Sequence, residues 1–149
     1  DPREDLSGRD VARKVVCLAR EIGLSVSMED LEMDSLVPDA LLDCSVDAFF
    51  EALPQYDQEM AKRIQEKQGE GAGVHYVGEL QANGPVSVGL YSYPAEHVLS
   101  GLQETDNMVV IHSEHYKDRP LVIQGPGAGP QVTAAGVFAD FLRLTSMLS

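Results

Sequence analysis

The sequence predicts an α+β protein with a mixed or mostly antiparallel sheet of four or five strands covered by helices. Three observations support this class. Apolar residues recur at helical spacing over the first 22 positions, the period changes to two after residue 73, and a second helical pattern fills residues 132–147. With 149 residues, 44% of them hydrophobic, the chain is long enough to bury a core.

The first predicted helix runs from Ser7 to Glu21 and stops at Gly23, because glycine is favoured just past a helix end. At about 100° per residue, its apolar face contains Val11, Ala12, Val15, Val16, Leu18, Ala19 and Ile22. The opposite stripe contains Asp10, Lys14, Cys17 and Glu21.

Three charged residues stand out at this helix. Asp10 and Lys14 are four positions apart and are expected to touch. Asp5 is expected just ahead of the first turn, where free amides and the helix dipole favour a carboxylate. By charge alone, this is equally the pattern of an exposed ion pair on an ordinary amphipathic helix.

The middle of the chain is predicted to be a connector followed by two helices. Asp43 or Ser45 is expected to cap the first of these helices, and the acidic residues of the connector are assigned to a solvated face. In chain order, the predicted segments are a strand at 34–37 ended by Pro38, a helix at 46–53 ended by Pro54, a polar helix at 55–68 and a glycine-rich break at 69–73.

After the glycine-rich break at 69–73, the apolar residues recur at every second position, which is typical of β-strands. A hairpin is predicted first, and its turn contains Asn83-Gly84. In chain order, the predicted segments are strands at 74–81 and 86–93, a helical turn at 95–99, a loop at 101–106, strands at 107–116 and 120–124, and a final helix at 132–147. That last helix is apolar on most sides, so it predicts a second partner besides the sheet.

Composition excludes several classes of function. The net charge is −13, with 24 acidic and 11 basic residues, which argues against binding to nucleic acid or to anionic membranes. No apolar run reaches the ~20 residues of a membrane span. Two cysteines, Cys17 and Cys44, do not form a disulfide framework, so a reducing compartment is favoured.

Metal binding is not predicted. His112 and His115 are three apart, and on a strand they would point to opposite faces. Asp39, Asp43 and Asp47 lack the glycine turn and the closing glutamate of a calcium loop. His75 and His97 are interpreted as isolated polar surface residues, and the sequence indicates no nucleophile.

A glycine-rich loop precedes the last helix, with Gly125, Gly127 and Gly129 alternating. Such a strand, loop and helix let backbone amides approach a phosphate or a flat ring. The third glycine of a dinucleotide fingerprint would fall at Pro130, so the motif alone is weak and equally fits a turn that only allows close helix packing.

The opening string Asp-Pro-x-x-Asp-Leu-x-Gly-x-Asp-Val-x-Arg-Lys, residues 1–14, resembles the substrate-site signature of the homoserine dehydrogenase family. Residues 125–136 resemble the closing glycine loop and helix of that family. Residues 53–57, 76–78 and 116–121 are similar to the version fused behind an aspartokinase, so the resemblance implies the carboxy-terminal half of a bifunctional aspartokinase–homoserine dehydrogenase.

This resemblance implies an oxidoreductase that interconverts L-aspartate 4-semialdehyde and L-homoserine with NADP or NAD in threonine and methionine biosynthesis. Lys14 matches the family's proton donor, while Asp5 and Asp10 match substrate-binding positions. Gly129, and with less support Gly127, matches the loop that faces the nicotinamide.

The resemblance also implies a division of the chain. Residues 1–124 would form a substrate-binding, catalytic and dimerisation domain of a homodimer or higher homo-oligomer. Residues 125–149 would return to an absent dinucleotide-binding domain, without which the isolated chain is expected to be inactive. The implied location is the cytoplasm, or a plastid in a plant or alga.

A second hypothesis is a non-catalytic dimerising or amino-acid-sensing α+β module, with the hairpin edge at 86–93 pairing across a dimer. The two hypotheses differ in one requirement. A dehydrogenase needs Asp10 and Lys14 in the same cleft as the loop at 127–129, whereas a sensor does not.

Overall fold

A computed structural model of the chain describes residues 1–69, 72–82, 84–103 and 106–148. Parts of three predicted loops, at 70–71, 83 and 104–105, lie outside these ranges. The chain divides into two units, Asp1–Ala95 and Glu96–Ser149.

The first unit contains four helices and three strands in its described part. The helices are α1 (Arg3–Leu6), α2 (Arg9–Glu21), α3 (Val46–Ala52) and α4 (Asp57–Lys67), and the strands are β1 (Glu32–Met33), β2 (Ala72–Leu80) and β3 (Val86–Pro94). Short 3₁₀ turns occur at Met28–Asp30, Asp39–Leu41 and Leu53–Tyr56.

The predicted hairpin is confirmed, and a third strand joins it. β2 and β3 pair antiparallel from Ala72 opposite Pro94 to Leu80 opposite Val86. β1 pairs parallel with β3, so the strand order is β1-β3-β2. The start of β3 therefore lies between two strands, and the proposed dimer edge along the whole of residues 86–93 is wrong for that part.

Helix α2 covers one face of this sheet, as its amphipathic pattern predicts. Ala12 and Val15 are buried against Val86 and Val88, and burial of each valine side chain stabilises a fold by about 1.5–3 kcal/mol. Leu18 and Ile22, which were also assigned to the apolar face, are 46% and 57% exposed. The helix therefore packs through a narrower stripe than the sequence predicts.

A second buried cluster lies beside α3. Phe49 is fully buried and packs with Val37 and Leu41. Ser45 caps α3, since its hydroxyl accepts a hydrogen bond from the Ala48 amide at 3.2 Å, so Ser45 and not Asp43 takes the role predicted for one of them.

The second unit contains a two-stranded sheet and a long helix in its described part. β4 (Asp106–Ile111) and β5 (Leu121–Pro126) pair antiparallel, and α5 spans Pro130–Leu148. The α+β class is confirmed, with the five described strands divided between sheets of three and two. In the described part of the chain, no helix has the length and apolarity required to cross a bilayer.

Helix α5 is present close to its predicted bounds, and its apolar side chains are exposed in the chain by itself. Five of them are between 50% and 68% exposed: Val137, Phe138, Phe141, Leu142 and Leu144. Such a helix requires a partner to shield this surface from water.

Three predicted boundaries in the connector and in the strand region are wrong. The strand predicted at 34–37 is replaced by β1, because the chain leaves the sheet after the Asp34 amide donates to the Val88 carbonyl. The helical turn predicted at 95–99 forms instead as a 3₁₀ turn at Val98–Gly101. The strand predicted at 107–116 ends at Ile111, so His112 and His115 lie beyond it and the opposite-face argument does not apply to them.

Candidate active site

A short helix that the sequence analysis does not predict precedes the first predicted helix, and Gly8 lies between the two. Residues Arg3–Leu6 form α1, and Gly8 precedes α2 with a φ of 77°, in the left-handed region that favours glycine. The predicted start of the helix at Ser7 is therefore wrong by two residues. Asp5 lies on α1 and not ahead of the same helix as Asp10, so a two-residue turn sets its placement.

Helix α1 is anchored through Arg3. Its guanidinium is ion-paired with Asp1 at 2.6 Å. It also donates to the carbonyl oxygens of Leu41, Leu42 and Cys44 at 3.1, 2.9 and 2.7 Å. It lies over the ring of Phe49 at 5.6 Å from the centroid. These contacts hold α1 against the second buried cluster.

Asp10 and Lys14 meet as predicted. The Lys14 Nζ atom lies 2.7 Å from Asp10 Oδ2, and the two side chains are 60% and 50% exposed. Asp5 is exposed as well. The structure therefore presents a carboxylate and a carboxylate–ammonium pair to solvent on successive helices, which suits a substrate that has both positive and neutral polar groups.

A half-buried polar network that the sequence interpretation missed lies beside Gly8. The Tyr76 hydroxyl donates to the Asp34 carbonyl at 2.9 Å. The Asp34 carboxylate is ion-paired with Arg63, so it is not one of a row of solvated acids. Burial, followed by the nearby Asp34 charge, raises the pKa of Tyr76. In the sequence, this network is indicated only by a tyrosine at a strand position that faces α2.

The other acidic residues of the connector match the predicted solvated face, since Glu29, Asp30 and Glu32 are exposed. Asp30 Oδ2 accepts hydrogen bonds from the Ser27 hydroxyl at 2.7 Å and the Ser27 amide at 2.8 Å. These bonds lower the pKa of Asp30 and form a capping box at the 3₁₀ turn.

The opposite face of the hairpin carries half-buried polar residues. Tyr93 donates to Glu79 Oε1 at 3.0 Å, and burial, followed by this bond, raises the pKa of Tyr93. His75 is half-buried, with its Nε2 atom buried and without a hydrogen-bond partner among the described residues. The prediction of a surface residue is wrong for His75. His97 is partly exposed, and its Nδ1 accepts a local hydrogen bond from the Leu99 amide at 3.3 Å.

The glycine loop connects β5 to α5, as predicted. Gly129 has a φ of 125°, and nothing lies within 4 Å of the position that a β-carbon would occupy. Its carbonyl accepts hydrogen bonds from the Thr133 amide and hydroxyl at 3.1 and 3.0 Å. A β-carbon at Gly127 would overlap the Asn107 side chain. The backbone at Gly129 is therefore open to a flat ligand, whereas Gly127 is packed within the hairpin.

The predicted site residues are divided between the two units. Asp5, Asp10 and Lys14 belong to the first unit, and Gly127 and Gly129 belong to the second. Their convergence in one cleft stays a prediction. The first unit has a shallow pocket of about 230 Å³ beside Arg63 and Tyr56, and none of the predicted residues lines it.

Cysteine and metal chemistry can be described for the residues that the structure covers. Cys17 is exposed, Cys44 is half-buried, and the two are free thiols. Within the described ranges, no three His, Cys, Asp or Glu side chains are grouped so that they could hold a metal ion.

These features limit the class of chemistry that the chain could support. An α+β unit that presents carboxylates and an ammonium group on adjoining helices has the groups that proton transfer on a small polar substrate requires.

Comparison with known proteins identifies the class further. The family model described as homoserine dehydrogenase matches residues 1–142. The chain belongs to the homoserine dehydrogenase family, a family of oxidoreductases.

Relatives and solved structures agree with this assignment. The chain is 49% identical to a chloroplastic bifunctional aspartokinase/homoserine dehydrogenase 2 of Arabidopsis thaliana, over 99% of the chain and 16% of that protein. It is 42% identical to a homoserine dehydrogenase of Paracoccidioides brasiliensis, over 99% of the chain and 41% of that protein. A crystal structure of a Candida auris protein of unknown function superposes with a TM-score of 0.88 at 43% identity, covering 98% of this chain and 41% of that one.

The resemblance to the family, including its fused form, is thus confirmed. The chain spans 16% of the length of its Arabidopsis relative.

Proposed function

We propose that the polypeptide carrying this chain interconverts L-aspartate 4-semialdehyde and L-homoserine with NADP or NAD. The pairing of Lys14 with Asp10 at 2.7 Å, with Asp5 exposed on the preceding helix, carries this proposal. Family membership supports it, and the reaction would serve threonine and methionine biosynthesis.

Reduction of an aldehyde needs a proton on oxygen when hydride reaches carbon. The Lys14 ammonium would donate that proton to the carbonyl oxygen as it becomes a hydroxyl. Lys14 would be left as a neutral amine, and its 60% exposure would let solvent return the proton. In the reverse direction the neutral amine would accept the hydroxyl proton of homoserine.

The two carboxylates would orient the substrate. Asp10 lies against the Lys14 ammonium, so a carbonyl oxygen bound by Lys14 would also be close to Asp10. Asp5 is exposed on α1 and would bind the substrate ammonium group, because opposite charges attract most strongly where water is excluded on binding. Removing either carboxylate should therefore weaken substrate binding.

The glycine loop would contact the cofactor. Gly129 offers backbone at a φ of 125° with open space beside it, which fits the close approach of a flat nicotinamide ring. The bound cofactor would supply the hydride. Gly127 would hold the loop through its packing on Asn107 and would contact the cofactor less directly.

The remaining assignments concern the longer polypeptide. Residues 1–124 would form the substrate-binding, catalytic and dimerisation domain of a homodimer or higher oligomer. Residues 125–149 would complete a dinucleotide-binding domain, and the exposed apolar side chains of α5 support such a partner. An aspartokinase would precede both, and the location would be the cytoplasm or a plastid.

The test is an assay of the complete polypeptide with aspartate 4-semialdehyde and NADPH or NADH, following oxidation of the cofactor. Turnover is expected from the complete polypeptide and not from residues 1–149 alone. A correctly folded complete polypeptide without turnover would refute the dehydrogenase and favour the non-catalytic module.

A further inference from the structure

We propose that Tyr76 is a positioning residue for the reaction. Its side chain, held by the 34–36 segment, fixes the turn at Gly8 that sets α1 relative to α2. This inference rests on the proposed function, because its effect on catalysis passes through the charged groups that α1 and α2 carry.

The first step is a steric contact. Tyr76 reaches from β2 to Gly8, which is buried. A β-carbon at Gly8 would overlap the Tyr76 hydroxyl oxygen and lie 2.8 Å from the ring carbon Cζ. Gly8 also has the left-handed φ of 77°. Both the backbone conformation and the packing of the phenol thus require glycine at this turn.

The second step is that the phenol is itself held in place. Its hydroxyl donates to the Asp34 carbonyl at 2.9 Å. The Asp34 amide donates to the Val88 carbonyl at 2.8 Å, which ties the segment to the sheet. Arg63 is ion-paired with the Asp34 carboxylate and donates to the Ser35 carbonyl at 3.0 Å. The phenol therefore has a fixed support.

The same segment holds α1 directly. The Leu36 amide donates to the Leu6 carbonyl at 2.9 Å, at the last residue of α1. The 34–36 segment contacts the end of α1 and, through the Tyr76 hydroxyl, Gly8. It therefore holds in place the two residues that connect α1 to α2.

The third step connects this support to the reaction. A rotation at Gly8 would move Asp5, on α1, relative to Lys14, on α2. A misplacement of about 1 Å between catalytic and binding groups can reduce a rate about 100-fold. Tyr76 lies on β2 and contacts Gly8, so it would act on Asp5 and Lys14 only through the turn.

The experiment compares two tyrosine variants of the complete polypeptide. Tyr76→Phe removes the hydroxyl and keeps the ring, so we expect kcat to fall roughly tenfold, with KM for the semialdehyde changed less. The control is Tyr91→Phe, which removes a hydroxyl that lies 2.7 Å from the Ser87 hydroxyl on the opposite face of the same hairpin. Its kinetics should match the wild type.

If Tyr76 only stabilised the fold, Tyr76→Phe would lower the rate only in proportion to the loss of folded protein. The melting temperature and the folded fraction should change by similar amounts in the two variants, because each loses one part-buried hydrogen bond of a tyrosine hydroxyl. Equal kinetics in Tyr76→Phe and the control, or a loss of rate in proportion to the folded fraction, would overturn the positioning role.

Two further variants complete the test. Gly8→Ala should lower kcat, and adding Tyr76→Phe to it should cost little more, because both changes release the same turn. If the loss of kcat in the double variant equals the product of the two single losses, Gly8 and Tyr76 do not act through the same turn and the proposal is contradicted. If Gly8→Ala does not fold, the comparison of Tyr76→Phe with Tyr91→Phe still tests the positioning role.

Lys14→Ala separates the two proposals. With Lys14→Ala impaired, normal kinetics in Tyr76→Phe would refute the positioning role alone. If the wild-type polypeptide shows no turnover, the proposed function fails; if Lys14→Ala is fully active, the role assigned to Lys14 fails and the positioning role falls with it.

Discussion

Replacing Lys14 by alanine removes the proposed proton donor and one exposed ion pair. The pair spans 2.7 Å between side chains that are 60% and 50% exposed, and such pairs contribute about 0.2–1 kcal/mol to stability. Loss of general acid–base catalysis costs roughly 10²–10⁴ in rate, which is about 2.7–5.4 kcal/mol in the activation barrier. The catalytic loss should therefore exceed the loss of stability severalfold.

The assay measures kcat and the unfolding midpoint of the complete polypeptide. Lys62→Ala is the matched control, because Lys62 forms an i,i+4 pair with Glu66 at 3.7 Å on α4 and is 77% exposed. Both variants should unfold close to the wild type, and only Lys14→Ala should lose kcat. An unchanged kcat in Lys14→Ala, or equal losses in both variants, would refute the assigned role.

Three more outcomes are expected. Asp10→Ala should raise KM for the semialdehyde as well as lower kcat, since it removes a substrate contact, and steady-state kinetics would show a normal KM if it does not bind substrate. Gly129→Ala should raise KM for the nicotinamide cofactor with little effect on KM for the semialdehyde, because it strains a φ of 125° and fills open space; equal effects on both would contradict contact with the cofactor alone. The pKa of Tyr93 is raised by burial and by its bond to Glu79, so its contribution to stability is complete below pH of about 10 and is lost as the pH rises further. Ultraviolet titration of tyrosinate should show one late-ionising group fewer in Tyr93→Phe, and an identical curve would refute the shift.

Much of the fold could be predicted because its signals are local. The change from helical to alternating periodicity located the hairpin at 74–93 within two residues of its observed bounds. The apolar repeat located α2 and α5. These signals depend on side chains a few positions apart, which secondary structure brings together without help from the rest of the chain.

Other features depended on distant neighbours. In the sequence, Gly8 is part of the substrate-site signature, and nothing near it indicates that the Tyr76 phenol, 68 positions away, packs against it. Asp34 was assigned to a solvated face, yet it pairs with Arg63 on α4. The spacing of apolar and polar residues along the chain does not indicate partners that lie far apart in the sequence.

The sequence by itself determined the α+β class, the contact of Asp10 with Lys14 and the glycine turn at the start of α5, since each follows from residues within about four positions of one another. Tertiary structure alone decided that Asp5 lies on a separate short helix and that the 34–36 segment supports it. It did so because the left-handed turn at Gly8 is fixed by a phenol from a strand far along the chain.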